Sequence, residues 1–317
     1  MNRLRVLFMG TPEFAVGILK ELLSSQVNVV GVVTAPDKPS GRGKKLSSSA
    51  VKQYAGSKSL EVLQPTNLKS ESFQEDLNRL DPQLIIVVAF RMLPKVVWDY
   101  PSHGTFNLHA SLLPEYRGAA PINWAIINGE QKTGVTTFFI DEDIDTGKII
   151  NQRSISIAED DNVETLHDKL MTLGAELVVE TVSNIEQGKV DPKIQLHNTS
   201  LKSAPKLTKE NTKIDWNKKG KDIVNFVRGL TPFPTAWTEL QMNTKTIKVK
   251  VYEVNSEVKQ HSAEIGSSYF NKELKCVSVA VSDGYVHIKE LQFPGKKRME
   301  AHSLVNGMGW EKEFKFV

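Results

Sequence analysis

The 317-residue chain contains one cysteine, Cys276, so an internal disulfide bond is excluded. Its setting in the apolar run LKCVSVAV indicates a buried strand residue and not a reactive thiol. The seven histidines show no HxxxH spacing and no cluster with cysteine, so the sequence predicts no bound metal. No apolar run approaches the about 18 residues that a membrane-spanning helix needs, and we expect no membrane association.

The N-terminal region also lacks two common signals. Its apolar run of about five residues before Gly10 is too short for the core of a signal peptide, so we expect a cytoplasmic protein. The turn Gly10-Thr11-Pro12 lacks the further glycines of GxGxxG and the lysine of a P-loop, which favours a tight turn over a nucleotide site. A chain of this length with 40% hydrophobic residues is long enough for two domains.

Charge is distributed unevenly along the chain. Residues 189–317 contain 22 Lys and Arg against 14 Asp and Glu, whereas residues 1–188 contain 18 against 23. A basic C-terminal part beside an acidic N-terminal part is typical of a protein that binds a polyanion with one part and carries out chemistry with the other. A solvated lysine surface without a ligand explains the same charges equally well.

Predicted strands and helices alternate through the first 188 residues. The strands at residues 5–10, 27–34 and 84–90 are apolar on both faces, which is typical of a parallel sheet covered by helices. Residues 133–141 and 148–157 predict two strands that extend the sheet in antiparallel fashion. We therefore expect an α/β fold, a Rossmann-like domain with a mostly parallel sheet, whose ligands bind beyond the carboxyl ends of the strands.

The pattern changes after residue 188. Residues 189–205 are polar and contain Lys, Ser and Pro, which indicates a linker. Residues 206–317 contain one clear helical segment and about five short strands separated by turn signals. Such a series of short strands predicts a small β-barrel of the oligonucleotide-binding type.

The segment TFNLHASLLPEYRGAAPINW, residues 105–124, combines an apolar strand with a loop. Asn107 and His109 are two residues apart and therefore point to one face of that strand. Asp145, in the turn DEDIDTG, can be directed back towards the sheet, where the three side chains would form a proton-handling site with a donor for an oxyanion. This arrangement suits acyl transfer to an amine. The plainer interpretation is a set of polar groups that satisfy only backbone atoms.

Cations lie in two places outside this segment. The glycine-containing loop of residues 35–46 and the end of the linker carry them at Lys38, Arg42, Lys44, Lys45 and Lys206. The loop could contact RNA phosphates or be a surface loop without a ligand. Lys206 could approach RNA or form a salt bridge with a neighbouring carboxylate.

Six motifs, in order and spread over most of the chain, resemble those of the methionyl-tRNA formyltransferases. They are FMGTPEFAV, APDKPSGRGKKL, FNLHASLLPEYRGAAPINWAIINGE, TGVTTFFIDEDIDTGKI, APKLTKENTKIDW and RGLTPFPTAW. HASLLP and DIDTG also occur in other enzymes that use 10-formyltetrahydrofolate, such as glycinamide ribonucleotide formyltransferase, so they indicate only the broader group. The basic loop and the KLTKE…IDW element narrow the resemblance to the tRNA enzyme.

The resemblance implies transfer of a formyl group from 10-formyltetrahydrofolate to the α-amino group of methionyl initiator tRNA, with Asn107, His109 and Asp145 as catalytic residues. It implies that the folate co-substrate is held by Phe90, Met92, Leu93, Ser111, Leu112, Leu113 and Pro114. It also implies tRNA contacts at the five cations named above, within a tRNA-binding C-terminal domain, and we expect a monomer.

One segment departs from the family pattern. Residues 89–94, AFRMLP, are one residue shorter than the usual sequence after the central strand, so Arg91 is assigned no role by analogy. Two other functions stay open at this point: a folate-dependent formyltransferase that acts on a small amine, and an RNA-binding protein that retains an inactive sheet domain. The intact Asn107, His109 and Asp145 argue against the second.

Overall fold

The computed structural model describes residues 3–40, 45–196, 200–242, 245–308, 310 and 314–317. In these ranges the strands are β1 (Val6–Gly10), β2 (Val29–Val33), β3 (Lys38–Ser40), β4 (Lys45–Ser47), β5 (Val62–Leu63), β6 (Leu84–Val88), β7 (Thr105–His109), β8 (Arg117–Gly118), β9 (Lys132–Phe139), β10 (Ile149–Ser156), β11 (Ser203–Ala204), β12 (Ala236–Met242), β13 (Lys245–Val258), β14 (Ser268–Asn271), β15 (Cys276–Val281), β16 (Gly284–Gln292), β17 (Met299–Glu300) and β18 (Lys315–Phe316). The helices are α1 (Glu13–Ser24), α2 (Ala50–Ser57), α3 (Glu71–Leu80), α4 (Lys95–Trp98), α5 (Pro121–Ile127), α6 (Val163–Glu186), α7 (Gly220–Arg228) and α8 (Ala301–Met308).

The chain divides into two compact units. The first unit consists of residues 1–118, 132–156 and 167–203, and the second of residues 119–131, 157–166 and 204–317. Two short segments that lie within the predicted catalytic region, 119–131 and 157–166, thus pack with the C-terminal part of the chain. The functional division into a catalytic domain (1–188), a linker (189–205) and a tRNA-binding domain (206–317) stays a prediction.

A seven-stranded sheet forms the centre of the first unit, in the order β10-β9-β7-β6-β1-β2-β5. The strands β5, β2, β1, β6 and β7 are parallel, whereas β9 and β10 are antiparallel to their neighbours. This confirms the predicted α/β class, with a mostly parallel sheet and an antiparallel extension.

Helices cover the apolar faces of this sheet. On one face, Leu7 and Ile85 pack with Phe73 and Leu77 of α3 in a buried cluster. On the other face, a Cβ at Gly174 of α6 would lie 2.8 Å from Leu108 Cδ2. Because glycine has no Cβ, α6 can approach β7 closely, and this packing holds the strand that carries Asn107 and His109. No helix in the described ranges is long and apolar enough to cross a membrane.

The second unit is built on an antiparallel sheet in the order β14-β15-β16-β13-β12-β18, with β17 paired to β16. The end of the chain closes this sheet, because Phe316 pairs with Leu240 of β12 and its amide also donates to Gly266 O at 2.8 Å. Lys315 forms a bridge with Ser267, which immediately precedes β14. The closed, antiparallel arrangement confirms the predicted barrel of the oligonucleotide-binding type.

A buried core fills the barrel and includes the last aromatic side chain of the chain. Phe316 is 1% exposed, and its ring centroid lies 5.4 Å from that of Trp216. Outside the barrel, α5 packs with α7 in the same unit, where Asn123 Nδ2 donates to Gly229 O at 2.9 Å. Phe316 therefore both fills the core and belongs to the strand that closes the sheet.

We predict that Phe316→Ala lowers the free energy of unfolding of the second unit by about 3–5 kcal/mol, because it leaves a cavity in a packed core. The matched control is Phe233→Ala, a 79% exposed phenylalanine of the same unit, which should change stability by no more than about 0.5 kcal/mol. Denaturant unfolding followed by circular dichroism measures both. Equal midpoints for the two variants would contradict the packing of the Phe316 ring in the barrel core.

Candidate active site

Strand β7 presents Asn107 and His109 on one face. Their neighbours Phe106 and Leu108 point to the opposite face and are buried, as the alternation of side chains in a strand requires. Two residues along a strand separate Asn107 from His109 by about 6.7 Å. The structure therefore places the two side chains side by side at the end of a central strand, flanked by β6 and β9.

The imidazole of His109 lies between two hydrogen-bond acceptors. It is 6% exposed, with Nε2 at 2.8 Å from Tyr116 O and Nδ1 at 3.7 Å from Asp145 Oδ2. Because a carbonyl oxygen only accepts, Nε2 must carry the hydrogen of the neutral ring, and Nδ1 then directs a lone pair towards the carboxylate. An N–H group that enters this gap would meet two acceptors, so the pair is suited to receive a proton.

Asn107 has a different environment. The Asn107 side chain makes no hydrogen bond to any residue that the structure describes. Every buried side-chain nitrogen and oxygen among those residues has a partner, so the unpaired Asn107 amide cannot be fully buried. Its amide is therefore accessible and its N–H groups are available to an external oxygen. A preorganised donor of this kind stabilises an oxyanion that develops during acyl transfer.

Asp145 reaches His109 only because its turn folds back. Since β9 runs antiparallel to β7, the turn begins beside the first residue of β7, where Ile140 N donates to Thr105 O at 2.8 Å. Thr105 and His109 are about 13 Å apart along the strand. The turn of residues 140–147 must therefore return along β7 to bring the carboxylate to the imidazole.

Several features give the turn this shape. Asp141 Oδ1 accepts a hydrogen bond of 2.7 Å from Thr146 Oγ1, and Asp145 has a φ of +57°, a left-handed conformation that is uncommon for a residue with a side chain. A Cβ at Gly147 would lie 1.7 Å from Phe139 O, so only glycine fits there. Asp141 and Gly147 thus serve backbone geometry, and Asp145 is left free to point at the site.

A backbone amide orients the carboxylate of Asp145. Its Oδ2 accepts a hydrogen bond of 2.9 Å from Gly118 N, at the end of the loop that follows β7. The loop itself is held by side chains of the two antiparallel strands: Thr136 Oγ1 donates to Ser111 O at 2.7 Å, and Gln152 Nε2 donates to Leu113 O at 2.8 Å. No sequence motif points to Thr136 and Gln152, and their inward-facing positions in β9 and β10 are the only signal for them.

The residues predicted to hold folate are partly enclosed. Leu93, Ser111 and Leu113 are buried, Ser111 completely, so these three residues present little or no surface to a ligand. Leu93 belongs to the core cluster of the first unit and thereby anchors the short segment after β6. Accessible side-chain surface is presented by the other four, Phe90, Met92, Leu112 and Pro114.

Arg91, in the shortened segment, has a structural role in this chain. Its guanidinium donates to Pro65 O at 2.5 Å and Thr66 O at 2.9 Å, and lies 5.7 Å from the ring centroid of Phe90. It therefore connects the segment after β6 to the segment after β5, and its charge faces backbone carbonyls.

The predicted cationic loop is described in part. Lys38 is exposed on β3, which pairs with β4, whereas Arg42, Lys44 and the side chain of Lys45 lie outside the described residues. Asp37 anchors the start of this hairpin with a 2.6 Å ion pair to Lys52. Hydrogen bonds from Lys52 and Gln64 hold the pKa of Asp37 below its ordinary value, so this anchor is charged at neutral pH.

Lys206 is exposed in the second unit. Trp124 Nε1 donates to the carbonyl oxygen of the preceding residue, Pro205, at 2.7 Å and fixes the chain there. The Lys206 ammonium forms no ion pair with any residue in the described ranges, which argues against the salt bridge that the sequence left open.

The barrel also carries a cationic cluster that no sequence motif indicated. We call it the Trp237 platform, and it consists of Trp237 with Lys209, Lys213 and Lys248. The three ammonium groups lie 5.8, 5.5 and 3.7 Å from the ring centroid, respectively. Burial and the neighbouring charges of Lys209 and Lys250 lower the pKa of Lys248. Lys213 is paired with Glu239, so the platform carries an excess of positive charge around an aromatic face.

The site contains no evident metal centre: nowhere in the described part of the chain do three or more His, Cys, Asp or Glu side chains group closely enough to hold an ion.

Solved structures share this fold at low sequence identity. HypX from Aquifex aeolicus, solved in complex with tetrahydrofolic acid, is 20% identical with a TM-score of 0.64 over 99% of this chain and 51% of HypX. The chain thus spans about half the length of that protein. An N-formyltransferase from Helicobacter canadensis, solved with folinic acid and dTDP-3-aminofucose, is 20% identical with a TM-score of 0.64 over 90% of this chain and 98% of the other.

Sequence comparisons are more specific. The family described as formyl transferase matches residues 2–182, and the formyl transferase C-terminal domain matches residues 206–309. Methionyl-tRNA formyltransferase of Flavobacterium johnsoniae is 54% identical over 99% of both chains. The protein of the same name from Parabacteroides distasonis is 53% identical over 96% of this chain and 95% of the other. Because this identity extends over both units and includes the segments that build the site, the chain belongs to the methionyl-tRNA formyltransferase family.

Proposed function

We propose that the protein transfers a formyl group from 10-formyltetrahydrofolate to the α-amino group of methionyl initiator tRNA. The observation that carries the proposal is the meeting of His109 Nδ1 and Asp145 Oδ2, 3.7 Å apart, on the strand face that also presents the accessible amide of Asn107. The full-length similarity to relatives named methionyl-tRNA formyltransferase supports the choice of acceptor.

The reaction forms one C–N bond and breaks another. The neutral α-amine attacks the formyl carbon, the bond from that carbon to the folate nitrogen breaks, one proton leaves the amine and one reaches the departing nitrogen. Asn107 donates a hydrogen bond to the oxyanion of the tetrahedral intermediate, because its amide has no competing partner among the described residues. The co-substrate supplies the formyl group, and Phe90, Met92, Leu112 and Pro114 with nearby backbone groups would hold it.

His109 and Asp145 handle the proton of the amine. An N–H of the attacking amine is accepted in the gap between Nδ1 and Oδ2, which places a positive charge on the imidazole as the C–N bond forms. Asp145 and Tyr116 O, at the two ring nitrogens, then both accept from the imidazolium. Burial of the ring strengthens this stabilisation, since fewer waters screen the charges.

The polyanionic acceptor requires a cationic surface. Lys206, with Lys209 and Lys248 of the Trp237 platform, provides exposed ammonium groups for phosphates. Burial, together with the charges of Lys209 and Lys250, lowers the pKa of Lys248, and a phosphate beside this lysine would offset that effect. The cationic loop, with Lys38, Arg42, Lys44 and Lys45, is proposed to contact the same RNA.

We predict that His109→Ala and Asp145→Asn each lower the rate of formyl transfer by about 10²- to 10⁴-fold, the usual contribution of a proton-transfer group. Asp145→Asn keeps an oxygen that can accept from Gly118 N, so it removes charge with little change of shape. The control is Asp143→Asn, an exposed residue of the same turn, which should keep wild-type activity.

Transfer of labelled formyl to charged tRNA measures the rate, and filter binding measures the affinity for tRNA, which should not change. Full activity of Asp145→Asn and His109→Ala would show that the proposed site is wrong.

We predict that Lys209→Ala and Lys248→Ala each weaken tRNA binding. Loss of one phosphate contact should reduce the slope of log affinity against log salt concentration by about 0.7 to 0.9. Lys272→Ala, an exposed lysine elsewhere on the barrel, is the control and should keep the wild-type slope. Identical slopes for all three variants would place the tRNA elsewhere.

The acceptor itself is tested by competition. Charged initiator tRNA should be formylated far more efficiently than charged elongator tRNA, free methionine or an amino sugar nucleotide. Equal efficiency with free methionine or with the sugar would favour a formyltransferase of small amines.

A further inference from the structure

The segment of residues 193–196 shows an unusual pattern of burial. Ile194 and Leu196 are 77% and 80% exposed, whereas Gln195 between them is 3% exposed. Burial of an amide costs free energy and burial of an apolar side chain is favourable, so this arrangement is the opposite of the one that the hydrophobic effect favours. Such an inversion needs hydrogen bonds that use the buried amide fully.

The position of Gln195 is set by a strand-like contact two residues earlier. Lys193 and Ile149 form an antiparallel bridge, with two backbone hydrogen bonds of 2.8 Å. Because side chains alternate along an extended chain, this bridge turns Gln195 towards the turn of residues 140–147.

The amide of Gln195 is completely used. Nε2 donates to Asp145 O at 3.0 Å and to Gly147 O at 2.8 Å. Oε1 accepts from Arg117 Nε at 3.2 Å and from Arg117 Nη2 at 2.6 Å. Since carbonyl groups only accept and a guanidinium only donates, these partners fix which end of the amide is oxygen.

These contacts form a closed network with the carboxylate of Asp145. Arg117 is followed by Gly118, whose amide donates to Asp145 Oδ2. Gln195 thus holds the backbone of the turn, and Gly118 N holds the side chain of Asp145. Arg117 links the two contacts, because its guanidinium donates to Gln195 and its backbone leads into Gly118. Apart from Gln195 Nε2, no group in the described ranges donates to the carbonyl oxygens of Asp145 and Gly147.

We propose that Gln195 is a positioning residue for formyl transfer, which acts by holding the folded-back turn so that Asp145 faces His109. The inference rests on the proposed function. Gln195 contacts no reacting atom, and its effect passes through the position of one carboxylate. A displacement of about 1 Å in such a group can cost about 10²-fold in rate.

The test compares four variants of the full-length protein. Gln195→Met keeps the volume of the side chain and removes all its hydrogen bonds, and Gln195→Glu keeps the acceptor for Arg117 but removes both donations to the turn. Gln187→Met, at an exposed glutamine of the same unit, is the control. The double variant Gln195→Met with Asp145→Asn completes a cycle with the single variants.

We expect kcat to fall about 10- to 100-fold in both Gln195 variants, with KM for methionyl-tRNA unchanged. In the Asp145→Asn background, Gln195→Met should lower kcat by less than about twofold, because no carboxylate is left to position. A purely structural residue would instead lower the unfolding temperature and reduce kcat by the same factor in both backgrounds.

Two results separate this inference from the proposed function. Wild-type protein that does not formylate methionyl-tRNA would overturn both. Active wild-type protein, with wild-type kcat in Gln195→Met or with equal losses in the two backgrounds, would overturn only the role of Gln195.

Discussion

Antiparallel pairing between β7 and β9 starts the turn of residues 140–147 beside Thr105, whereas the imidazole that needs a carboxylate is at the other end of the strand. The whole site depends on the return of this turn. Three features hold its shape: Asp141 accepts a hydrogen bond from Thr146, Gly147 stands where a Cβ would collide with a carbonyl oxygen, and Asp145 adopts a left-handed conformation. Strained conformations of this kind persist only where the surroundings over-determine them, and the hydrogen bonds of Gln195 and Gly118 supply that determination.

The proposed chemistry of the site follows from the unequal hydrogen bonding of its three side chains. His109 has an acceptor at each ring nitrogen, which favours a positive charge during reaction. Asp145 is oriented by one backbone amide, and Asn107 has no partner within the described residues. In the proposed reaction, His109 accepts a proton, the charge of Asp145 stabilises the protonated imidazole, and Asn107 donates to the oxyanion. These three groups are in position before substrate binds, so little reorganisation is needed in the transition state.

The barrel is suited to a different physical task, the proposed binding of a large polyanion. Lys315 and Phe316 close its sheet, and its core cluster is built from residues of the second unit. On its surface, the pairing of β12 with β13 places Lys248 over the ring of Trp237. Charge concentrated around an aromatic face can bind phosphate and nucleobase without reading a particular sequence.

By itself, the sequence determined the α/β class, the antiparallel extension, the barrel and the candidates Asn107, His109 and Asp145, because these depend on local periodicity and on motifs that keep their spacing. It could not show which of the predicted folate residues are exposed: Leu93, Ser111 and Leu113 are buried, because burial depends on which elements pack above a residue. It also gave no sign of the Trp237 platform or of Gln195, which lay in a predicted linker. Only the tertiary structure decided these. The hydrogen bonds and charge contacts involved join residues far apart in the chain, and a short stretch of sequence does not specify its partners in the fold.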